Sequence, residues 1–235
     1  MSSSLEKGKA VEGGLSSFYE QLLQFSLFQG MSRTEMLQMA GNTRFDFLKM
    51  PVGKIVVSEG DVCNRLVFLV RGTLSISSQP DSHSYVMTEQ LGAPWLLQPE
   101  VLFGQSLRYT CTVRTLSDCH FIFLSKDEVL RMLDDFLIFR LNVLNLLASK
   151  AQRQGSRPWR RTPQSLSDRV ARFFTDHSLY PAGRKELRIL MTQFAAEVND
   201  SRLDVSRVLN DMQRKGLVEL HRGRIVIPSL ERLFM

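Results

Sequence analysis

The sequence predicts an α+β chain in three consecutive parts: an antiparallel β-barrel or jelly roll, one long helix, and a helix pair closed by a hairpin. Three observations predict it. Between Thr43 and Leu124, short β-type runs recur at near-regular spacing, punctuated by Gly, Pro and Asp, as in sandwiches and barrels. From Phe136 to about Gln152, apolar residues return every three or four positions on two faces. Over residues 191–227, two short stretches of 3.6 period lead into two strands around a glycine turn. With 235 residues, 43% hydrophobic and 23% charged, the chain is long enough to bury one or two real cores. No run approaches the roughly 18 apolar residues of a membrane span.

The opening stretch, MSSSLEKGKAVEGG, is small, polar and mixed in charge, so residues 1–16 read as a disordered lead-in. It lacks the apolar core of a signal peptide, which predicts a cytoplasmic protein. A helical pattern follows over Ser17–Phe28, then a second over Ser32–Ala40, where Ser32 and Glu35 make a capping box. The expected strands are Thr43–Phe47, Lys54–Val57, Arg65–Val70, Thr73–Ser77, Tyr85–Gln90, Thr110–Thr115 and His120–Leu124. Gly53, Gly60-Asp61 and Arg71-Gly72 fall at the corners between them, where positive φ angles are needed.

Ser125 and Glu128 form another capping box, starting a helix through Leu133. Asp134-Asp135 then offers an N-cap to the long helix. That helix is apolar on two sides: Leu137, Leu141, Leu144 and Ala148 on one, Phe139, Val143, Leu146 and Leu147 on another. A helix apolar on two faces must cover two surfaces. One can be its own barrel and the other the same helix of a second copy; the alternative is a helix buried within one domain. Gln154-Gly155-Ser156-Arg157-Pro158 ends it as a hinge, with Trp159-Arg160-Arg161 beyond. A helix over Leu166–Ser178 and a turn at Tyr180–Gly183 follow.

The last segment carries the most information. Phe194, Ala195 and Val198 line one helix, the polar step Asn199-Asp200-Ser201 interrupts, and Val205, Val208, Leu209 and Met212 line the next. Ser201, Arg202, Asp204, Ser206 and Arg207 stand on its opposite face, and Gly216 closes it as a C′ glycine. Leu217–Leu220, a His221-Arg222-Gly223 turn and Arg224–Ile227 complete a hairpin with cations at its tip. Arginines near the start of such a helix suit the major groove, where Arg grips O6 and N7 of guanine together. Asp204 would face like-charged DNA, so it either accepts from a cytosine or orients an arginine. Thr192, Arg222 and Arg224 are placed for backbone phosphate. Charge agrees: from Ala151 on there are 16 basic and 9 acidic residues, against 14 and 15 before it. The excess sits on the part with the helix pair, as attraction to phosphate requires.

These residues resemble the Crp/Fnr family of bacterial transcription regulators, over roughly residues 17–235. Ser201-Arg202 and Arg207 fall where that family places base- and phosphate-contacting residues. Leu203 departs, standing where many members carry an acid that reads cytosine; a leucine could instead touch a thymine methyl. The succession of Gly53, Gly60-Asp61 and Leu66–Gly72 resembles the family's cyclic-nucleotide-binding barrel. The resemblance implies a lead-in at 1–16, a sensory barrel at 17–134, a dimerisation helix and hinge at 135–155, and a winged helix-turn-helix domain at 156–235. It also implies a homodimer on a roughly palindromic duplex DNA site, with RNA polymerase as a further partner.

The effector cassette of cyclic-AMP-binding relatives is not reproduced. Glu100 can stand for its acid, but Pro99 replaces the glycine and supplies no N–H. Tyr109 falls where the phosphate-binding arginine belongs, and Arg108 substitutes only if the strand slips by one residue. The candidate effector residues are therefore Glu100, Arg108 and Tyr109, with the effector left open and cyclic AMP disfavoured. No cofactor or metal is expected. Cys63, Cys111 and Cys119 are too few for an iron–sulfur cluster with four thiolates, and His83, His120, His177 and His221 are dispersed. No P-loop, nucleophile elbow or zinc motif points to an enzyme. The rival reading is a ligand-binding signalling module whose helix pair mediates protein contacts.

Overall fold

The structure, a computed structural model, describes residues 18–156 and 163–234. The lead-in expected at 1–16, the Arg157-Pro158 end of the expected hinge and Trp159-Arg160-Arg161 lie outside the described residues, while residues 154–156, expected to end the long helix, are helical. A helical stretch at 18–23 (α1) is followed by a 3₁₀ turn, Ser26–Phe28, and by α2, Arg33–Asn42. Ser32 caps α2 as expected: its Oγ accepts from Glu35 N–H at 3.2 Å, while the Glu35 carboxylate accepts from Ser32 N–H at 2.7 Å.

Eight strands come next: β1 Asp46–Met50, β2 Ile55–Val57, β3 Arg65–Arg71, β4 Thr73–Ser78, β5 Tyr85–Gly92, β6 Trp95–Leu97, β7 Thr112–Thr115 and β8 Cys119–Ser125. Every pairing among them is antiparallel. One sheet runs β1-β8-β3-β6, and the other contains β5-β4-β7-β2. Leu66 and Phe68 from the first and Leu74, Ile76 and Val113 from the second share one buried cluster, so the sheets enclose a common core. Gly72 makes the β3–β4 corner at φ +108; a Cβ there would lie 2.7 Å from the Asp118 carbonyl oxygen. Only glycine fits that corner.

The expected strands all form, with β1 starting three residues later than read. β6 was not expected. It follows Ala93-Pro94 and has only three residues, too few to show alternation.

Two helices follow, α3 (Lys126–Asp135) and α4 (Leu137–Ser156). Ser125 caps α3, its Oγ accepting from Glu128 N–H at 3.3 Å. The expected cap at Asp134-Asp135 does not form: both aspartates belong to α3, and the buried Phe136 alone separates the helices. Burial of that ring competes successfully with capping here. α4 presents Phe139 and Val143 to the barrel core, with Leu146 and Leu147 packed beside them. Phe139 meets Phe28 at 5.6 Å between centroids, and Phe28 meets Phe68 at 5.7 Å, tying helix to sheet. Leu137, Leu141 and Leu144 face outward, 58, 45 and 56% exposed, and Ala148 is exposed beside them.

The C-terminal unit contains α5 (Leu166–Asp176), β9 (Lys185–Ile189), α6 (Met191–Glu197), α7 (Arg202–Arg214), β10 (Glu219–His221), β11 (Arg224–Ile227) and a final 3₁₀ turn. β9 was not expected, and it joins the two halves. It pairs with β11 on one side and with β5 on the other, from Tyr85↔Ile189 to Glu89↔Lys185. A seven-stranded sheet, β10-β11-β9-β5-β4-β7-β2, therefore runs through the molecule. Along one face of β5, Tyr85 and Met87 enter the C-terminal core and Leu91 enters the barrel core. Glu89 lies between them, 1% exposed. Its carboxylate accepts from Lys185 Nζ at 2.7 Å, Leu179 N–H at 2.6 Å and Tyr180 N–H at 3.1 Å. Lys185, fully buried, also donates to the Ala182 carbonyl at 2.9 Å.

Candidate nucleic-acid interface and effector pocket

The turn between α6 and α7 is built by the backbone. Asp200 N–H donates to Ala195 O at 3.0 Å and Asn199 N–H to Ala196 O at 3.1 Å, a Schellman closure. Asn199 takes the left-handed position at φ +51, which asparagine tolerates. The same closure ends α7, with Gly216 at φ +68 and Leu217 N–H bonded to Met212 O. The C-terminal end of each helix is thus closed by local chemistry. The apolar stripe of α7 then packs inward, burying Val205, Leu209 and Met212 against Phe194, Val198 and the α5 phenylalanines.

That packing turns the polar stripe outward. Arg202 and Arg207 are exposed, and Arg202 has no ion pair among the described residues. Ser201 is the N-cap, accepting from Asp204 N–H at 3.1 Å and donating to the Asp204 carboxylate at 2.7 Å. The other carboxylate oxygen of Asp204 accepts from Arg207 Nη1 at 3.0 Å. The Ser201 hydroxyl, with Arg207 assisting, holds the Asp204 carboxyl below the usual carboxylate range. Of the two roles open to Asp204, its contacts match that of orienting an arginine. Leu203 is 61% exposed on the same turn, and Ser206 lies half-buried beside Arg207.

The wing is formed by β10 and β11 in antiparallel register, Glu219↔Val226 and His221↔Arg224. Gly223 turns the tip at φ +69 and leaves Arg222 exposed. Arg224 lies 3.7 Å from the Glu186 carboxylate, which Arg188 also pairs at 3.0 Å. Thr192 is exposed in the first turn of α6.

In the barrel, each candidate effector residue is engaged with a different partner. Glu100 is the second residue of a short 3₁₀ turn, Pro99–Leu102, and is ion-paired to Lys150 of α4. Residues 107–109 run antiparallel to 60–63, so neighbours point to opposite faces. Tyr109 points in and is 4% exposed; burial and the adjacent Cys63 push its phenol well above the ordinary value. Arg108 points out and donates to the Gly60 carbonyl at 2.7 Å. The buried Gln98 holds Thr110 from both ends of its amide, donating to Oγ1 at 2.6 Å and accepting from N–H at 3.1 Å. Sequence reading missed Gln98 and Lys150, because their partners lie 12 and 50 residues away with no shared pattern.

Cys63, Cys111 and Cys119 are free and buried. Among the described residues no three or more His, Cys, Asp or Glu side chains gather to hold a metal. No described helix is long and apolar enough to cross a membrane.

Residues 47–136 match the cyclic nucleotide-binding domain family, and residues 168–234 match the Crp-like helix-turn-helix domain. Together with the outward polar face of α7, these matches define a DNA-binding transcription regulator. The chain belongs to the Crp/Fnr family. Among solved structures, it is similar to the catabolite activator protein of Thermus thermophilus, with 20% identity and a TM-score of 0.51; the match covers 89% of this chain and 96% of that one. It is also similar to the sensor domain of the transcriptional regulator DNR from Pseudomonas aeruginosa, with 18% identity and a TM-score of 0.51, over 64% of this chain and 97% of that one. At these identities the likeness is one of fold. No curated protein sequence matches the chain.

Proposed function

We propose that the chain works in the cytoplasm as a homodimer, placing two copies of α7 in successive major grooves of a roughly palindromic operator. The groove centres would lie about 34 Å apart. The observation that carries this is the division of α7 into a buried apolar stripe and an exposed face bearing Arg202 and Arg207. Arg202 and Arg207 read base edges or phosphate, with Ser201, Asp204 and Ser206 beside them. Thr192, Arg222 and Arg224 position the backbone. The outward row of Leu137, Leu141, Leu144 and Ala148 supports α4 as the dimer seam, since an exposed apolar stripe of this length calls for a partner.

Cyclic AMP is not the cue in this reading. Pro99 offers no N–H, Glu100 is already neutralised by Lys150, and Arg108 faces away from the buried Tyr109. Nothing in the site calls for a catalytic role. The family context leaves RNA polymerase as a partner of the bound dimer.

The test is a salt-titrated duplex-binding assay. Arg207→Ala should weaken binding to the preferred operator while the dimer stays intact. Arg222→Ala should weaken binding to every duplex and lower the salt slope by about 1. Equal binding of all duplexes by the wild type and Arg207→Ala would overturn the base-reading assignment. No salt-dependent affinity at all would favour a module whose helix pair contacts protein.

A further inference from the structure

Arg169 lies on α5, outside the helix pair, and two of its three guanidinium nitrogens are engaged by the turn that aims α7. Nε donates to the Val198 carbonyl at 3.0 Å, Nη2 is ion-paired with the Asp200 carboxylate, and Nη1 reaches the Gln164 carbonyl at 3.5 Å. The chain of contacts continues. The second oxygen of Asp200 accepts from Ser201 N–H at 2.7 Å, the Ser201 hydroxyl donates to Asp204, and Asp204 accepts from Arg207 Nη1. A continuous polar path therefore runs from the supporting helix to the guanidinium on the outward face of α7.

We propose that Arg169 is a positioning residue for DNA reading: it fixes the turn that sets the direction of α7, and through Asp200, Ser201 and Asp204 it fixes how Arg207 is presented. This rests on the reading of α7 as the base-reading helix. The apolar stripe of Val205, Leu209 and Met212 sets the depth of α7 but offers little resistance to small rotations of its first turn. Apolar contacts are non-directional. The guanidinium is directional, binding a carbonyl and a carboxylate in one plane. There the two ends of the turn, Val198 and Asp200, are held by one rigid group. Lysine, a single point charge on a flexible stem, could meet Asp200 but could not hold Val198 at the same time. Reading a base edge requires placement to about 0.5 Å and 10–20°, so a loosened turn degrades discrimination before it degrades attraction to phosphate.

The experiment compares two duplexes of equal length by fluorescence anisotropy at one salt concentration. One is selected by the wild-type protein from a randomised pool; the other is its scrambled counterpart. Arg169→Met should lower the selected-to-scrambled affinity ratio by about tenfold or more, with scrambled binding and its salt slope changed less than twofold. Arg169→Lys should restore the ratio only in part. In an Arg207→Ala background, Arg169→Met should lower the ratio less than threefold, because the path then has no reader at its end. An unchanged ratio would overturn the proposal, as would an equal loss on both duplexes or an equal loss in the Arg207→Ala background. If Arg169→Met does not fold, Asp204→Asn decides, since its side chain is half exposed and its loss should lower the ratio in the same way. A wild-type protein that binds no duplex would instead refute the DNA-binding reading itself.

Discussion

Lys185→Met isolates the charged seam between the two halves. It removes a fully buried ammonium and leaves the Glu89 carboxylate, 1% exposed, with no cation. Breaking a buried pair from one side costs about 3–5 kcal/mol. The lower end applies, because Leu179 and Tyr180 still donate two backbone N–H groups to Glu89. For a chain of this size 1 kcal/mol moves Tm by about 2–4 °C, so a loss of about 6–12 °C is expected. Thermal unfolding followed by circular dichroism measures it. Two double variants sharpen the test. Glu89→Gln with Lys185→Met removes the stranded charge yet keeps an acceptor for a backbone N–H, and should recover at least half of the loss. Glu89→Leu with Lys185→Met orphans both N–H groups, each costing about 1–3 kcal/mol, and should recover little. If Lys185→Met unfolds within about 1 kcal/mol of wild type, the seam is not held by this pair.

Further expectations concern other sites. Asp204 should titrate below the ordinary carboxylate range by NMR and return toward it in Ser201→Ala. With a depressed folded-state pKa, its contribution is present above the ordinary carboxylate range and lost as pH falls through the lowered value, so its effect is flat near neutrality. All three thiols should resist a disulfide reagent in the native protein and react after unfolding; burial pushes Cys111 up to about 12, leaving almost no thiolate. Leu141→Glu should convert a dimer to monomer in analytical ultracentrifugation without lowering helix content, whereas an unchanged sedimentation coefficient would remove α4 as the seam. Gly72→Ala should cost more than Gly53→Ala. Both have positive φ, worth about 1–2 kcal/mol in a non-glycine residue, but only at Gly72 would the new Cβ strike Cys119 Sγ at 2.6 Å and Asp118 O.

Local features were legible from the chain alone. Ser32 with Glu35, Gly216 and the hairpin at Gly223 each depend on residues within a few positions, and each stands as read; of the box read at Ser125 and Glu128 the Ser125 cap forms, while the Glu128 carboxylate pairs with Arg131. The two faces of α4 were equally plain, because a helix displays its burial as periodicity. β9 was not, since Lys185 occupies the apolar phase of the strand with Leu187 and Ile189, and its countercharge lies 96 residues upstream. Arg169 escaped for the same reason: its partners Val198 and Asp200 are about thirty residues on, and no spacing connects them. Contacts between distant side chains leave no periodic trace, and here they decide how the reader is held.

The ladder between β5 and β9 also sets how the reading head can move. Five consecutive residue pairs join them. Shifting the register by one residue would turn Tyr85 or Lys185 to the wrong face of the sheet. Shifting by two would bring Lys185 opposite Met87 or Leu91 in place of Glu89, setting an ammonium against apolar side chains. Intermediate positions are therefore closed. A head leaving the barrel would have to break all five pairs, because no slipped register offers it another seat.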